Sequence, residues 1–328
     1  MKVCMLTTNH PPDDPRIYEL ETKSLCENGF EVVVIAKPPA YPAWFRFTPG
    51  KTDPLSHLSE GLRYNEPDVV HCHDPWALMV GMGYTEDNPG TKLVYDCHEH
   101  TPSRYCNPKR PNRLIWGFEK KALGFCDAVF TANHIVRGYL LTQNPGVNVE
   151  VLYNCPHIGG PFVYDKYEEG VFRIVYEGGR GGMARGVDVL RRVADRLDAE
   201  LTLLQDKPYS ELPRWEAQHH VGVIPYQPVP NNMLAGPPHK LFSYMAAGIP
   251  IVSTPLPEST RILRRTGAGI VTEGFSEEDL FRALEAVKDH PDFAEHTGDK
   301  GYQAHLNRWN WEEEERTLLD VYSEIEEE

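Results

Sequence analysis

Long apolar runs are missing from this 328-residue sequence. No stretch reaches the roughly 20 residues that a membrane-spanning helix needs, so any membrane contact is expected to be peripheral. The opening apolar run, Val3 to Leu6, is too short for a secretory signal and meets Thr7, Thr8 and then prolines. Basic residues are also scarce: 33 Lys and Arg stand against 48 Asp and Glu, a net charge of −15. That balance argues against nucleic acid as a partner, whose usual footprint is a basic face. An anionic substrate would then need a local basic pocket, which makes clustered Arg and Lys informative. The seven cysteines, spread from Cys4 to Cys155, have no compact pairing pattern. This fits reduced thiols in a cytoplasmic protein.

What is present suits two globular domains of ordinary size, with 41% apolar and 25% charged residues. Short Val/Ile-rich runs at 2–7, 31–36, 68–72, 92–95, 128–131 and 149–152 alternate with polar or amphipathic segments. A helix is expected over 16–28, ended by Asn28-Gly29. A second alternation begins near Val171, with strands at 172–176, 201–204, 221–224 and 250–253 and helices at 187–197 and 240–247. Gly248 is placed to cap the second of these helices. The pattern predicts an α/β chain of two parallel sheets flanked by helices. Residues 37–54 read as an irregular connection and 154–170 as the hinge. A final helix starts after Asn310, an N-cap with Glu313 three residues on. The expected domains are 1–155 and 156–309, with 310–328 as the closing helix.

Ligands of an open parallel sheet sit beyond the carboxyl ends of its strands. Polar residues recur there: Asn9 and His10, His73 and Asp74, His98 and Glu99, then Asn133 and Asn154. Asp74 before Pro75 and Asn133 are equally good helix starts, so their convergence weighs more than any one of them. His71, His73, Asp74, His98, Glu99 and His100 are zinc-compatible types. No spaced Cys or His pair accompanies them, so no metal site is expected. A neutral histidine at a strand end suits hydrogen bonding to a substrate hydroxyl or proton transfer.

The second half opens with Tyr176-Glu177-Gly178-Gly179-Arg180-Gly181-Gly182-Met183-Ala184-Arg185-Gly186. Glycines after a strand let backbone N–H groups approach an anion, and Arg180 and Arg185 add charge that pairs with phosphate. Gly179, Gly181 and Ala184 also satisfy a Gly-x-Gly-x-x-Ala spacing, with Asp206 ending the next strand. A nicotinamide-dependent oxidoreductase is therefore a rival reading. Further on, Pro237-Pro238-His239-Lys240 opens a helix with a cation where an anion is already favoured.

Asp14-x-Arg16-Ile17, Gly29-Phe30-Glu31-Val32, Asp68-Val69-Val70-His71-x-His73-Asp74 and Tyr95-Asp96-x-His98-Glu99 occur in that order. They are followed by Arg185-Gly186, the block Lys240-Leu241-Phe242-x-Tyr244-Met245-Ala246-Ala247-Gly248-x-Pro250, and Trp311-Glu312 with Tyr322. Together they resemble the family 4 glycosyltransferases over nearly the whole chain. The resemblance implies the GT-B fold, two Rossmann-like domains with the site in the cleft between them. It implies transfer of a hexose, with retention, from a nucleotide-diphosphate sugar to a glycan or lipid-linked acceptor, as in cell-surface polysaccharide synthesis. No metal or other cofactor is implied. Carried over by position, His98, Arg185 and Lys240 are the catalytic residues, the two cations stabilising the pyrophosphate. Asn9, His10, Arg16, His73, Asp74, Glu99, Gly179, Arg180, His239 and Ser243 are the substrate-binding ones. Relatives carry a ribose-binding glutamate where this chain has Ser243, which a serine cannot imitate. That departure makes a non-catalytic, glycosyltransferase-like binding protein the second rival.

Six basic residues, Arg104, Lys109, Arg110, Arg113, Lys120 and Lys121, fall between 104 and 121, opposed only by Glu119. Leu114, Ile115, Trp116 and Phe118 are interleaved. Such a segment either packs as an ordinary amphipathic helix or lies on an anionic membrane face.

Overall fold

A computed structural model describes residues 1–11, 13–36, 55–105, 113–162, 170–179, 182–205 and 207–327. The chain forms two compact units, Met1–Leu152 with Glu315–Glu328, and Tyr153–Glu314.

The first unit is built on a six-stranded sheet: β1 (Lys2–Thr7), β2 (Glu31–Ala36), β3 (Val69–His73), β4 (Lys92–Cys97), β5 (Ala128–Thr131) and β6 (Val149–Val151). Their spatial order is β2-β1-β3-β4-β5-β6, and every pair is parallel. Strands β1, β3 and β4 are buried on both faces, one of them carrying His71, His73 and Asp96 and the other apolar. Cys4, Leu6, Val70, Cys72, Leu93 and Tyr95 pack there against Ala77, Leu78, Ala122 and Leu140. The helix Ser56–Asn65 follows residues 37–54, which lie outside the described residues.

The helix expected over 16–28 is in fact two windings. A π-helical stretch, Pro15–Thr22, continues into the α-helix Lys23–Glu27. The Asp14 carboxylate caps the first by accepting from the backbone N–H groups of Arg16 and Ile17. In an α-helix, residues five apart point about 140° away from each other. The wider i→i+5 winding puts Arg16 and Glu21 on one side, with Arg16 Nε 2.9 Å from Glu21 Oε1.

The second unit holds a five-stranded parallel sheet of β7 (Arg173–Glu177), β8 (Glu200–Leu204), β9 (Val221–Ile224), β10 (Ile251–Ser253) and β11 (Gly269–Val271), in the order β11-β10-β9-β7-β8. The helix Val187–Arg196 buries Val187, Leu190, Val193 and Ala194, a three-and-four spacing that gives it one apolar face. The helix Lys240–Ala246 is buried throughout. Gly248, with φ of 66°, caps it in the left-handed region, as expected from its position. Asn310 caps the helix Trp311–Glu327 by accepting from Glu313 N at 2.9 Å. From Glu315 onward that helix clusters with the first unit. Its Tyr322 is fully buried against Phe30, ring edge to ring face at 5.4 Å. No helix among the described residues is long and apolar enough to cross a membrane.

Candidate functional site

The carboxyl edge of the first sheet gathers most of the polar residues singled out above. His10, just past β1, is bound at both ring nitrogens: Nδ1 lies 2.9 Å from Asp14 Oδ2 and Nε2 3.2 Å from Asp74 Oδ2. Asn9 donates to the same Asp74 oxygen at 3.3 Å. Burial alone would lower the His10 pKa, but Asp14 and Asp74 outweigh it and push the ring up to about 10. Asp14 falls to about 2, burial being overcome by the charge and hydrogen bond of His10. Asp74 has φ of 70°, in the left-handed region. Such a backbone costs a non-glycine residue roughly 1–2 kcal/mol, and it holds this carboxylate at the mouth of β3. His98 follows β4; its ring lies 4.6 Å from that of His10. Glu99 pairs with Arg104 at 2.7 Å on the surface nearby.

Arg16 and His73 lie beneath this edge rather than on it. The Arg16 side chain is 3% exposed. Its guanidinium grips Asp96 with Nε at 2.8 Å and Nη2 at 3.0 Å, and donates from Nη1 to the Leu152 carbonyl at 2.9 Å. Burial would raise the Asp96 carboxyl, but Arg16 and His98 hold it well below the usual range. His98 Nε2 lies 3.1 Å from both Asp96 Oδ2 and His73 Nδ1. Burial drives His73 down to about 4 and His71 well below its ordinary value. Glu21 is held well above the carboxylate range by burial and by Asp96.

In the second unit, two cations expected at a pyrophosphate come together on one ring. Lys240, 3% exposed, donates from Nζ to Tyr226 Oη at 2.8 Å. The exposed Arg185 guanidinium lies 4.5 Å from the centre of the Tyr226 ring, a stacked cation. Tyr226 follows β9, Arg185 follows β7, and Lys240 opens the helix before β10, so all three meet at the carboxyl edge of this sheet. Lys240 Nζ is also 3.9 Å from Glu177 Oε2, and His239 Nε2 is 2.7 Å from that oxygen. Burial would raise Glu177, yet His239, Lys240 and Arg185 hold it at about 2. Gly178, with φ of 117°, takes the chain past this group, and a Cβ there would lie in ordinary contact with Lys240 Nζ. Exposed Gly179 accepts from Tyr176 Oη through its carbonyl. Arg180, Gly181 and Asp206 lie outside the described residues.

Ser243 is buried, and its hydroxyl donates to Glu216 Oε2. Glu216 is itself fully buried, and burial raises its carboxyl well above the ordinary range. A carboxyl therefore stands beside Ser243, supplied by the helix Leu212–Glu216. Nothing in the sequence around Glu216 announces this. Glu21 and Tyr226 were equally silent, since each depends on an element boundary or winding that spacing does not reveal.

The basic segment resolves in part. Residues 106–112 lie outside the described residues. In the helix Arg113–Ala122, Glu119 is fully buried and accepts from Tyr95, Thr101 and Tyr139. Its charge does not oppose the lysines outside. Leu114, Trp116 and Phe125 are exposed with Lys120 and Lys121.

The model of Glycosyltransferase Family 4 matches residues 2–156, and that of a glycosyl transferase-like family matches residues 198–320. None of the curated proteins compared with the chain matches it. Sucrose-phosphate synthase from Thermosynechococcus elongatus is 12% identical, with a TM-score of 0.76, over 99% of this chain and 98% of that one. Alr3699/HepE of Anabaena, solved in complex with UDP, is 14% identical, with a TM-score of 0.69, over 99% of this chain and 100% of its own. A glycosyltransferase from Rickettsia africae is 12% identical, with a TM-score of 0.69, over 99% and 98%. At such identities the structural likeness establishes the fold, which is GT-B. The family matches decide against the nicotinamide reading of Gly179, Gly181 and Ala184.

Proposed function

Because residues 2–156 match the Glycosyltransferase Family 4 model and residues 198–320 a glycosyl transferase-like one, we propose that the chain moves a hexose from a nucleotide-diphosphate sugar to a hydroxyl of a glycan or lipid-linked acceptor, with retention at the anomeric carbon. The observation that carries this reading is the meeting of Lys240 and Arg185 on Tyr226. In the transfer, the bond from the anomeric carbon to the β-phosphate oxygen breaks and one to the acceptor oxygen forms. The acceptor proton leaves, and the departing diphosphate gains negative charge. Buried Lys240 and exposed Arg185, both held on one ring, offset that charge with little reorganisation, so the donor diphosphate needs no metal. Glu177 occupies their field in the free protein; burial would lower the Lys240 pKa, but Tyr226 and Glu177 together outweigh that and raise it. In the first unit, His98 is the proton-handling group and His10, Asn9 and Asp74 are the sugar-binding ones.

Uridine diphosphate heads the panel of nucleotides to try, since HepE is solved with UDP-glucose. The test is thermal shift and donor hydrolysis with UDP-, GDP- and ADP-sugars, their free diphosphates, and NADH as control. A nucleoside diphosphate raises Tm by linkage, and its sugar is slowly hydrolysed. Silence from every nucleotide would mean a binding protein without transfer activity.

The face made by Leu114, Trp116, Lys120, Lys121 and Phe125 suits an anionic membrane surface, apolar side chains dipping in and ammonium groups meeting headgroups. Lys120→Glu with Lys121→Glu should release the protein from phosphatidylglycerol vesicles in co-sedimentation. Binding that survives the double charge reversal removes the membrane from this account.

A further inference from the structure

The geometry points to a divalent transition-metal site buried in the first unit, held by Glu21, His71, His73 and Asp96. Each offers one ligand atom, and the four atoms lie within 4.8 Å of one another. All four side chains are fully buried. Glu21 Oε2 stands 3.9 Å from both His71 Nε2 and His73 Nε2. The two Nε2 atoms make no hydrogen bond, while the Glu21 carboxyl faces Asp96, to which the nearby Arg16 Nε–H points.

The other nitrogen of each ring is engaged. His71 Nδ1 is 2.9 Å from Tyr322 Oη, and His73 Nδ1 is 3.4 Å from Asp96 Oδ2. A ring that gives its Nδ1 proton to an oxygen keeps a lone pair on Nε2. Two such lone pairs then face the buried Glu21 carboxyl group across 3.9 Å. Buried ring acceptors without a donor are costly. A shared proton would draw a pair to about 2.7–3.0 Å. The 3.9 Å gaps instead leave room for an ion bonded at roughly 2.0–2.2 Å, after a contraction of a few tenths of an ångström. The surroundings match what metal-ligating groups need: Tyr322 fixes the His71 ring and the Arg16 fork fixes Asp96.

Two imidazoles with two carboxylates favour zinc or a neighbouring first-row ion over calcium or magnesium, which prefer all-oxygen shells. Full burial makes the site closed and structural. It ties the Pro15–Thr22 winding to β3 and β4. The ligands come from three separate elements, Glu21 from the Pro15–Thr22 winding, His71 and His73 from β3 and Asp96 from β4, so no spacing motif betrays them.

The full chain, expressed with zinc in the medium and purified without chelator, should carry about one equivalent of metal by elemental analysis. Dialysis against dipicolinate should lower its Tm, and Zn(II) alone should restore it. Replacement by Co(II) should give the intense visible bands of a four- or five-coordinate ion. Glu21→Gln, which keeps the shape but removes the charge, should lower metal content to background, whereas the control His296→Gln, at an exposed position, should not. A wild-type chain without metal, and indifferent to Zn(II) and Co(II), overturns the assignment whatever the variants do. Equal metal retention by Glu21→Gln and wild type also overturns it, since the metal is then bound elsewhere.

Discussion

Lys240 and Tyr226 are joined by a 2.8 Å hydrogen bond from ammonium to phenol, and the same ring carries the Arg185 guanidinium. The phenol positions both cations, so its loss and theirs should differ in scale. Lys240→Ala should weaken nucleotide-sugar binding or turnover by about 2–4 kcal/mol, and Tyr226→Phe by about 1 kcal/mol. Steady-state kinetics with a hydrolysable donor separates the two. Unaltered kinetics in Lys240→Ala would remove that residue from the donor site.

Acid stability should depend on Glu177. Its folded value of about 2 lies below the ordinary 4.5 because His239, Lys240 and Arg185 outweigh its burial. A carboxyl that is more acidic when folded stabilises above its unfolded value. That contribution is lost as pH falls from 4.5 toward 2. Glu177→Gln should therefore flatten the fall of Tm across this window, and parallel acid limbs for variant and wild type would contradict the pairing.

On the alkaline side, His10 acts in the opposite sense. Its folded value of about 10 lies above the ordinary 6.5, so its contribution is complete below 6.5 and disappears as pH rises through 10. His10→Gln should lose stability near neutrality and show a flatter alkaline limb. Thermal melts from pH 6 to 10.5 measure it.

Arg16 is predicted to matter for stability. Removing it leaves Asp96 buried with its charge uncompensated, a change that costs roughly 3–5 kcal/mol. Arg16→Lys keeps the charge but loses the two-pronged grip and the Leu152 carbonyl, so it should fall between. Urea denaturation orders the three proteins.

Gly186 links backbone to chemistry. Its φ is 67°, and a Cβ there would lie 1.9 Å from the Pro225 carbonyl oxygen. Neither strain can relax without shifting the loop that carries Arg185 and Tyr226. Gly186→Ala should cost about 1–3 kcal/mol in stability and raise KM for the donor. A variant with lowered Tm but unchanged KM would show that the loop shifts without moving its cations.

Strands were the most legible part of the fold. Residues 2–7, 31–36, 128–131 and 221–224 are strands with the bounds their apolar runs gave, because strands of a sheet covered by helices are rich in β-branched apolar residues. The helix Ser56–Asn65 was missed beside a proline-rich run. The π-helical winding was read as α because periodicity alone does not reveal one extra residue per turn. At the site, residues just past strand ends were readable from position. Glu21, Glu216 and Tyr226 were not, since their partners come from other elements.

Tyr322 fills its place over His71 from 251 residues downstream. During synthesis, β1 to β6 leave the ribosome long before it does. Until residues 315–327 emerge, the imidazole of His71 lacks its phenol and Phe30 its ring partner. The first unit is therefore finished by a segment made well after its sheet. A fragment stopped at Leu152 lacks that segment, and His71 and Phe30 lose the ring that covers them.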